Sequence, residues 1–259
     1  ICNTVFDQAF LPVCLVALAV TAFRGNLPLA ASLPYLAGSG SPYFSAVDRQ
    51  TILGLNPSVT RSQLFKSELE GVTITNAVAG GTNVRVDIGE VTIANGTTIT
   101  NTATGATNVI TTNSNVSSII MTGGTISGGT NSNVRLMNGD SFLMSGGTIT
   151  GGTAANGGNI YVYNAASALN MYGGTISGGR GYNGGNIYSN AASVYLGKYA
   201  LVENGYATIE SDGGGGNIRT TGALTTYGVI RNGESRAFGG NLIVEGVDNT
   251  HTIAGGEIY

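Results

Sequence analysis

After position 70, the residues of this 259-residue chain best suited to acid–base or metal chemistry are four aspartates, Asp87, Asp140, Asp212 and Asp248, and one histidine, His251. Cleaving a polysaccharide needs carboxylates held together, as an acid and base pair or as calcium ligands, with a Lys or Arg nearby. These aspartates fall at unrelated points of the sequence pattern, and no Asp-Asp pair or Gly-His-Gly accompanies them. No catalytic residue, metal or cofactor is therefore expected. His251 lies in a Thr-rich segment beside no acid in matching register, and reads as an outward-facing surface imidazole. Gly178–Gly185 and Ser211–Gly216 have a calcium-repeat flavour, but the first lacks the Asp that such a repeat uses and the second has no partner turn, so both read as glycine corners.

Hydroxyls are far better organised. A Thr-x-Thr/Ser triplet recurs at Thr73/Thr75, Thr98/Thr100, Thr125/Ser127, Thr148/Thr150 and Thr175/Ser177. Placed on one flat face, these side chains form a two-column array that resembles the ice-binding surface of Thr-rich β-solenoid antifreeze proteins. The plainer account is that Thr suits an exposed strand. The pattern also breaks at Ile209-Glu210 and Ile230-Arg231.

A second series, Arg85, Ile110, Arg135, Tyr161, Tyr188, Arg219 and Ile243, follows a recurring Asn-aliphatic pair. Arg and Tyr on a shared face offer planar surface and donors to sugars or partner chains. Packing between neighbouring turns produces the same pattern. Asn95-Gly-Thr97 and Asn115-Val-Ser117 match the N-glycosylation pattern, which requires a surface position in a secreted protein.

The elements that must position these groups follow from the recurring asparagine itself. Asn83, Asn108, Asn133, Asn159, Asn186, Asn217 and Asn241 each precede an aliphatic residue, at intervals of 25, 25, 26, 27, 31 and 24 residues. A fixed period in this range marks a stacked architecture. Each turn is expected to carry three short strands. One holds Thr-Ile-Thr/Ser with the Ile inward, one starts at the Asn, and one ends in pairs such as Ile119/Met121, Phe142/Met144 and Leu169/Met171. Gly-Gly pairs mark the corners. At strand spacing, roughly 4.7–4.9 Å, the asparagines should form a ladder in which each amide donates to one neighbour and accepts from the other. That role is structural.

The units Met121–Gly129, Met144–Gly152 and Met171–Gly179, of the form Met-x-Gly-Gly-Thr-Ile-Ser/Thr-Gly-Gly, together with Gly157–Tyr161 and Gly184–Tyr188 (Gly-Gly-Asn-Ile-Tyr), resemble the repeats of bacterial cell-surface and secreted parallel β-helix proteins of the pectin-lyase-like class. The resemblance covers residues 71–259. It implies an all-β fold, a single-stranded parallel β-helix of about seven turns, with the right-handed coil usual for parallel crossovers. It specifies function weakly, because that fold hosts adhesins, tailspikes and polysaccharide-degrading enzymes alike.

Residues 1–70 form a separate region. Cys2 and Cys14 can pair in a disulfide or remain free thiols. The apolar run 9–23 is interrupted by Pro12, is short for a membrane span, and has no basic residue before it, so it is not expected to be a cleaved leader. It suits either packing on the chain's own core or insertion into a neighbouring subunit. Residues 24–50 have linker composition, and 60–69 read as a short capping helix closed by Gly71. With 42 Gly, no Trp and a net charge of −3, the chain has no basic stripe, which argues against nucleic acid or an anionic membrane as partner. Ile253–Ile258 repeats the spacing of Met121–Ile126 and so opens an eighth turn without a cap. The expectation is a non-enzymatic extracellular or cell-surface protein, its partner a further copy of itself joined head to tail, with carbohydrate or the cell surface as a possible additional ligand. Ice binding and polysaccharide binding or cleavage are the rival readings.

Overall fold

The computed structural model describes residues 66–76, 78–112, 117–190, 192–210, 214–246 and 250–259. They form a parallel β-solenoid of about seven turns, and every paired strand runs parallel to its neighbours in the turns before and after. Four strand columns run along it. Column a comprises Lys66–Leu69, Gly89–Ile93, Ser117–Met121, Ser141–Met144, Leu224–Thr226 and Thr252–Ile253. Column b holds Thr73–Asn76, Thr98–Asn101, Thr125–Ser127, Thr148–Thr150, Val229–Arg231 and Glu257–Ile258. In two turns the strand runs unbroken through both columns, as Ala168–Ser177 and Ser193–Glu203, which merges a and b into one sheet. Column d is the asparagine-led series Thr82–Val86, Thr107–Thr111, Val134–Leu136, Ile160–Val162, Ile187–Ser189, Ile218–Thr220 and Leu242–Val244.

These segments are strands because they alternate, and the alternation sorts side chains between core and surface. Ile99, Ile126, Ile149 and Ile176 stack in column b, Met121, Met144 and Met171 in column a, and Val109, Val134, Ile160, Ile187 and Ile218 in column d, all at zero exposure. Each such burial stabilises the fold by about 1.5–3 kcal/mol. The core is one continuous apolar rod with Phe142 its largest side chain.

The three expected columns are present, and a fourth, column c, joins them from the fourth turn onward: Thr153–Asn156, Arg180–Asn183, Tyr206–Ala207 and Glu234–Ser235. Apart from Asn156 and Asn183, whose amides hydrogen-bond at 2.9 Å, the paired residues of its strands differ in type, so little in the side-chain pattern announces them.

The corner between columns b and c explains the Gly-Gly pairs. The first position takes positive φ, +75° at Gly128, +64° at Gly151 and +61° at Gly178. The second has no room for a side chain, since a Cβ on Gly152 would lie 2.1 Å from the Gly158 carbonyl.

The capping helix is corrected over its last four residues. Lys66–Leu69 is a strand of column a, in register with Glu90–Ile93; Leu69 is 6% exposed in the core, and its carbonyl accepts the Ala94 N–H at 2.8 Å. Four residues with one apolar end suit either periodicity, and the adjacent strand supplies hydrogen bonds that a single isolated helical turn cannot secure. The solenoid therefore already includes Lys66 rather than starting at 71. Residues 60–65, the apolar run 9–23, the linker 24–50, Cys2 and Cys14 lie outside the described residues.

Candidate functional site

The asparagine column forms a single buried ladder. Each side-chain amide donates to the next asparagine oxygen: Asn83 to Asn108 at 2.8 Å, Asn108 to Asn133 at 2.7 Å, and Asn133 to Asn159 at 2.8 Å. The series continues from Asn159 to Asn186, Asn186 to Asn217 and Asn217 to Asn241, each at 2.7 Å. The second amide hydrogen goes to the last carbonyl of column b, as from Asn159 to Ser177 at 2.8 Å. The second lone pair accepts the N–H of the corner glycine, as Gly152 to Asn159 at 2.9 Å and Gly179 to Asn186 at 2.8 Å. All donations run toward the C-terminal turn, so the ladder has one acceptor end, Asn83, and one donor end, Asn241.

The Thr columns are brought together as expected. Thr73, Thr98, Thr125, Thr148 and Thr175 lie in one register, and Thr75, Thr100, Ser127, Thr150 and Ser177 in the next outward one. Part of the hydroxyl capacity is used between turns, with Ser127 Oγ donating to Thr100 Oγ1 at 3.4 Å and Ser177 Oγ to Thr150 Oγ1 at 3.2 Å. Beyond Thr175 and Ser177 the same registers hold Leu201 and Glu203, then Val229 and Arg231, which ends the array.

The Arg/Tyr series also shares one face, and most of it is engaged with itself. The Arg135 guanidinium lies 5.5 Å from the Tyr161 ring centre, Tyr161 stacks on Tyr188 at 5.6 Å, and Arg219 caps Tyr188 at 5.8 Å. Arg219 also pairs with Glu245 at 3.0 Å and donates to Asn183 Oδ1. Burial raises the Tyr161 phenol above its ordinary value, Tyr188 adds to this, and Arg135 opposes it. At the other end Arg85 is exposed and pairs with Asp87 at 2.7 Å.

The carboxylates are dispersed. Glu203 pairs with Arg231 and Glu210 with Arg236, at 2.7 and 2.6 Å. Asp140 is fully buried, its Oδ1 accepting the Ser117 N–H at 2.7 Å. Desolvation raises its pKa, against the opposing effect of the Thr111 hydroxyl and the Ser117, Met137 and Asn138 amides. Asp212 and Asp248 lie outside the described residues. Among those described, no three His, Cys, Asp or Glu side chains come together as a metal site.

His251 is corrected. It follows Leu224 in the inward register of column a, half-buried, and its Nδ1 accepts the Leu224 N–H at 3.3 Å. The Thr-rich context suggested an exposed strand, but the alternation that turns Thr252 outward turns its neighbour in. Asn95 is exposed, while the hydroxyl of its companion Thr97 is buried and donates to the Leu69 carbonyl at 2.6 Å. Asn115 lies outside the described residues.

Two surface features escaped the sequence reading. Tyr172, Tyr195 and Tyr227 form a cluster with ring centres 5.3 and 6.1 Å apart, beside the 78%-exposed Tyr199. Tyr195 is in register with Asn170 and Thr225, so Tyr172 and Tyr227 stand two residues further along their turns and no common spacing links the three. The other feature is an open groove of about 480 Å³ at the b–c corner, lined by Asn204, Gly205, Tyr206, Asn232, Gly233 and Glu234. Its signal was legible: two consecutive turns place Asn where earlier turns place Gly. Compared with known proteins, the chain matches no family model, no curated sequence and no solved structure.

Proposed function

We propose that this protein is a non-enzymatic structural solenoid of an extracellular or cell-surface assembly, in which copies stack end to end. The observation that carries this reading is the edge of the ladder at Asn83. Its Oδ1 is buried and has no hydrogen-bond partner among the described residues, where every later asparagine of the ladder accepts the amide of the one before it. Beside it Ile74 and Val84 are only partly buried against the core. Such an edge, polar at the asparagine and apolar beside it, suits the amide and strand of a further turn of the same design supplied by another copy, and unpaired strand edges recruit other chains. The contact is heterologous, and heterologous contacts propagate unless they close into a ring.

The pairing of Glu203, Glu210 and Glu245 with arginines of adjacent turns supports a scaffold rather than an enzyme, because it commits these carboxylates to holding turns together. Sedimentation and negative-stain electron microscopy of the full chain over a wide concentration range test the proposal. Rods that lengthen with concentration are expected, and uniform monomers throughout would overturn it.

The in-register Thr columns favour a second reading, ice binding. It requires thermal hysteresis in the wild type that Thr148→Tyr, in the middle of the array, removes. Absence of hysteresis in the wild type rejects it.

A further inference from the structure

The b–c corner is built the same way in five successive turns, with the first corner residue donating its backbone N–H to the end of column b in the next turn: Gly128 to Thr150, Gly151 to Ser177, Gly178 to Glu203, Asn204 to Arg231 and Asn232 to Tyr259. The first three positions are glycines at positive φ. The last two keep the left-handed backbone with a side chain attached, at φ +55° for Asn204 and +52° for Asn232. A left-handed conformation is unfavourable for an L-residue, and residues held in it concentrate at functional sites. Asparagine tolerates it better than most, yet glycine serves the same corner three times in this chain. The two carboxamides therefore call for a reason beyond the turn.

The groove supplies one. Asn204 and Asn232 stand one turn apart on one wall, both exposed. Tyr206 and Glu234, in register in column c, form the other wall, and Gly205 and Gly233 form a floor without side chains. Tyr206 is fixed by Arg180, 4.5 Å from its ring centre, and by the Arg236 Nε, which donates to its hydroxyl at 2.9 Å. Glu234 is exposed and has no ion-pair partner among the described residues.

We propose that this groove binds a neutral saccharide lying along the solenoid axis. Each carboxamide both donates and accepts, and a carboxylate accepts from paired hydroxyls, which is the complement of a polyhydroxylated chain. Turns spaced roughly 4.7–4.9 Å apart repeat the carboxamide along the axis, at Asn204 and Asn232. Charge excludes the other occupants. An anion would meet the Glu234 carboxylate while the nearby Arg231 and Arg236 are committed to Glu203 and Glu210. A hard cation takes six to eight oxygens and favours several carboxylates, where the lining offers one. An apolar peptide finds no pocket among Asn, Gly, Tyr and Glu. The site is independent of end-to-end stacking.

The test is calorimetric titration of the full chain with cellohexaose, mannohexaose and chitohexaose as neutral probes, hexagalacturonate as the acidic one, and calcium chloride alone. At least one neutral probe is expected to bind. The double variant Asn204→Gly/Asn232→Gly restores the glycines of the earlier turns, so it should melt no lower than the wild type while losing about tenfold or more in affinity, and Glu234→Gln should weaken binding similarly. Failure of all three neutral probes, binding of only hexagalacturonate or calcium, or unchanged affinity in the double variant overturns the proposal.

Discussion

From Asn133 to Asn217 each asparagine of the ladder makes four hydrogen bonds; for Asn159 these reach Asn133, Asn186, the Gly152 amide and the Ser177 carbonyl. Asn159→Ala strands buried donors on Asn133 and Gly152, so it should destabilise the fold by about 3–5 kcal/mol in urea denaturation. Asn83→Ala removes only two donations, to Asn108 and Thr100, and takes away an oxygen that has no partner among the described residues, so its effect should be less than half as large. Asp140 gives a prediction in pH. Its folded pKa is raised above 3.8 by burial, so the stability linked to its protonated form is complete below the unfolded value and is lost as pH rises through the raised folded value. Asp140→Asn does not titrate. The melting temperature of the wild type relative to this variant should therefore fall as pH rises from acid toward neutral, and a constant difference would contradict the burial effect.

At the scale of the element, the corner glycines separate two constraints that sequence alone conflates. Gly179 has no room: a Cβ there would lie 2.4 Å from the Gly185 carbonyl and 2.7 Å from Asn186 Oδ1. Gly151 has open space but positive φ, +64°. Gly179→Ala should thus cost more than about 3 kcal/mol or block folding, Gly151→Ala only about 1–2 kcal/mol, and Gly151→Asn less than Gly151→Ala, read from urea midpoints. The Asn, Ile and Met columns were legible because burial and hydrogen bonding fix their residue types turn after turn. Column c was not, since Thr153, Arg180, Tyr206 and Glu234 share a register without sharing a residue type. Leu69 and His251 were misread for the opposite reason: their side chains fit more than one local pattern, and only the neighbouring turn decides between them.

For the whole molecule, stability is a sum over adjacent turns, because each turn pairs with those just before and after it. In the proposed end-to-end stacking the last described turn of one copy meets the first of the next, so assembly should be sensitive there. Ile253→Lys with Ile258→Lys places charge on exposed edge positions. The pair should change monomer stability by no more than about 1 kcal/mol while preventing rod growth in sedimentation, because lysine blunts strand edges. If rods persist, the contact lies elsewhere on the molecule. The fold and its period were readable at this scale because repetition multiplies a weak local signal. The groove was overlooked although Asn204 and Asn232 mark it, because a period is read from what recurs and the groove lies where two turns depart from the repeat together.

The stacked pair Tyr161 and Tyr188 has a spectroscopic consequence. With no Trp in the chain and no tyrosine between residues 66 and 160, near-ultraviolet circular dichroism of the described solenoid is written by its later turns, while far-ultraviolet ellipticity averages over all of them. Melting followed at the two wavelengths side by side thus asks which half of the rod loosens first, without a label and without altering a residue.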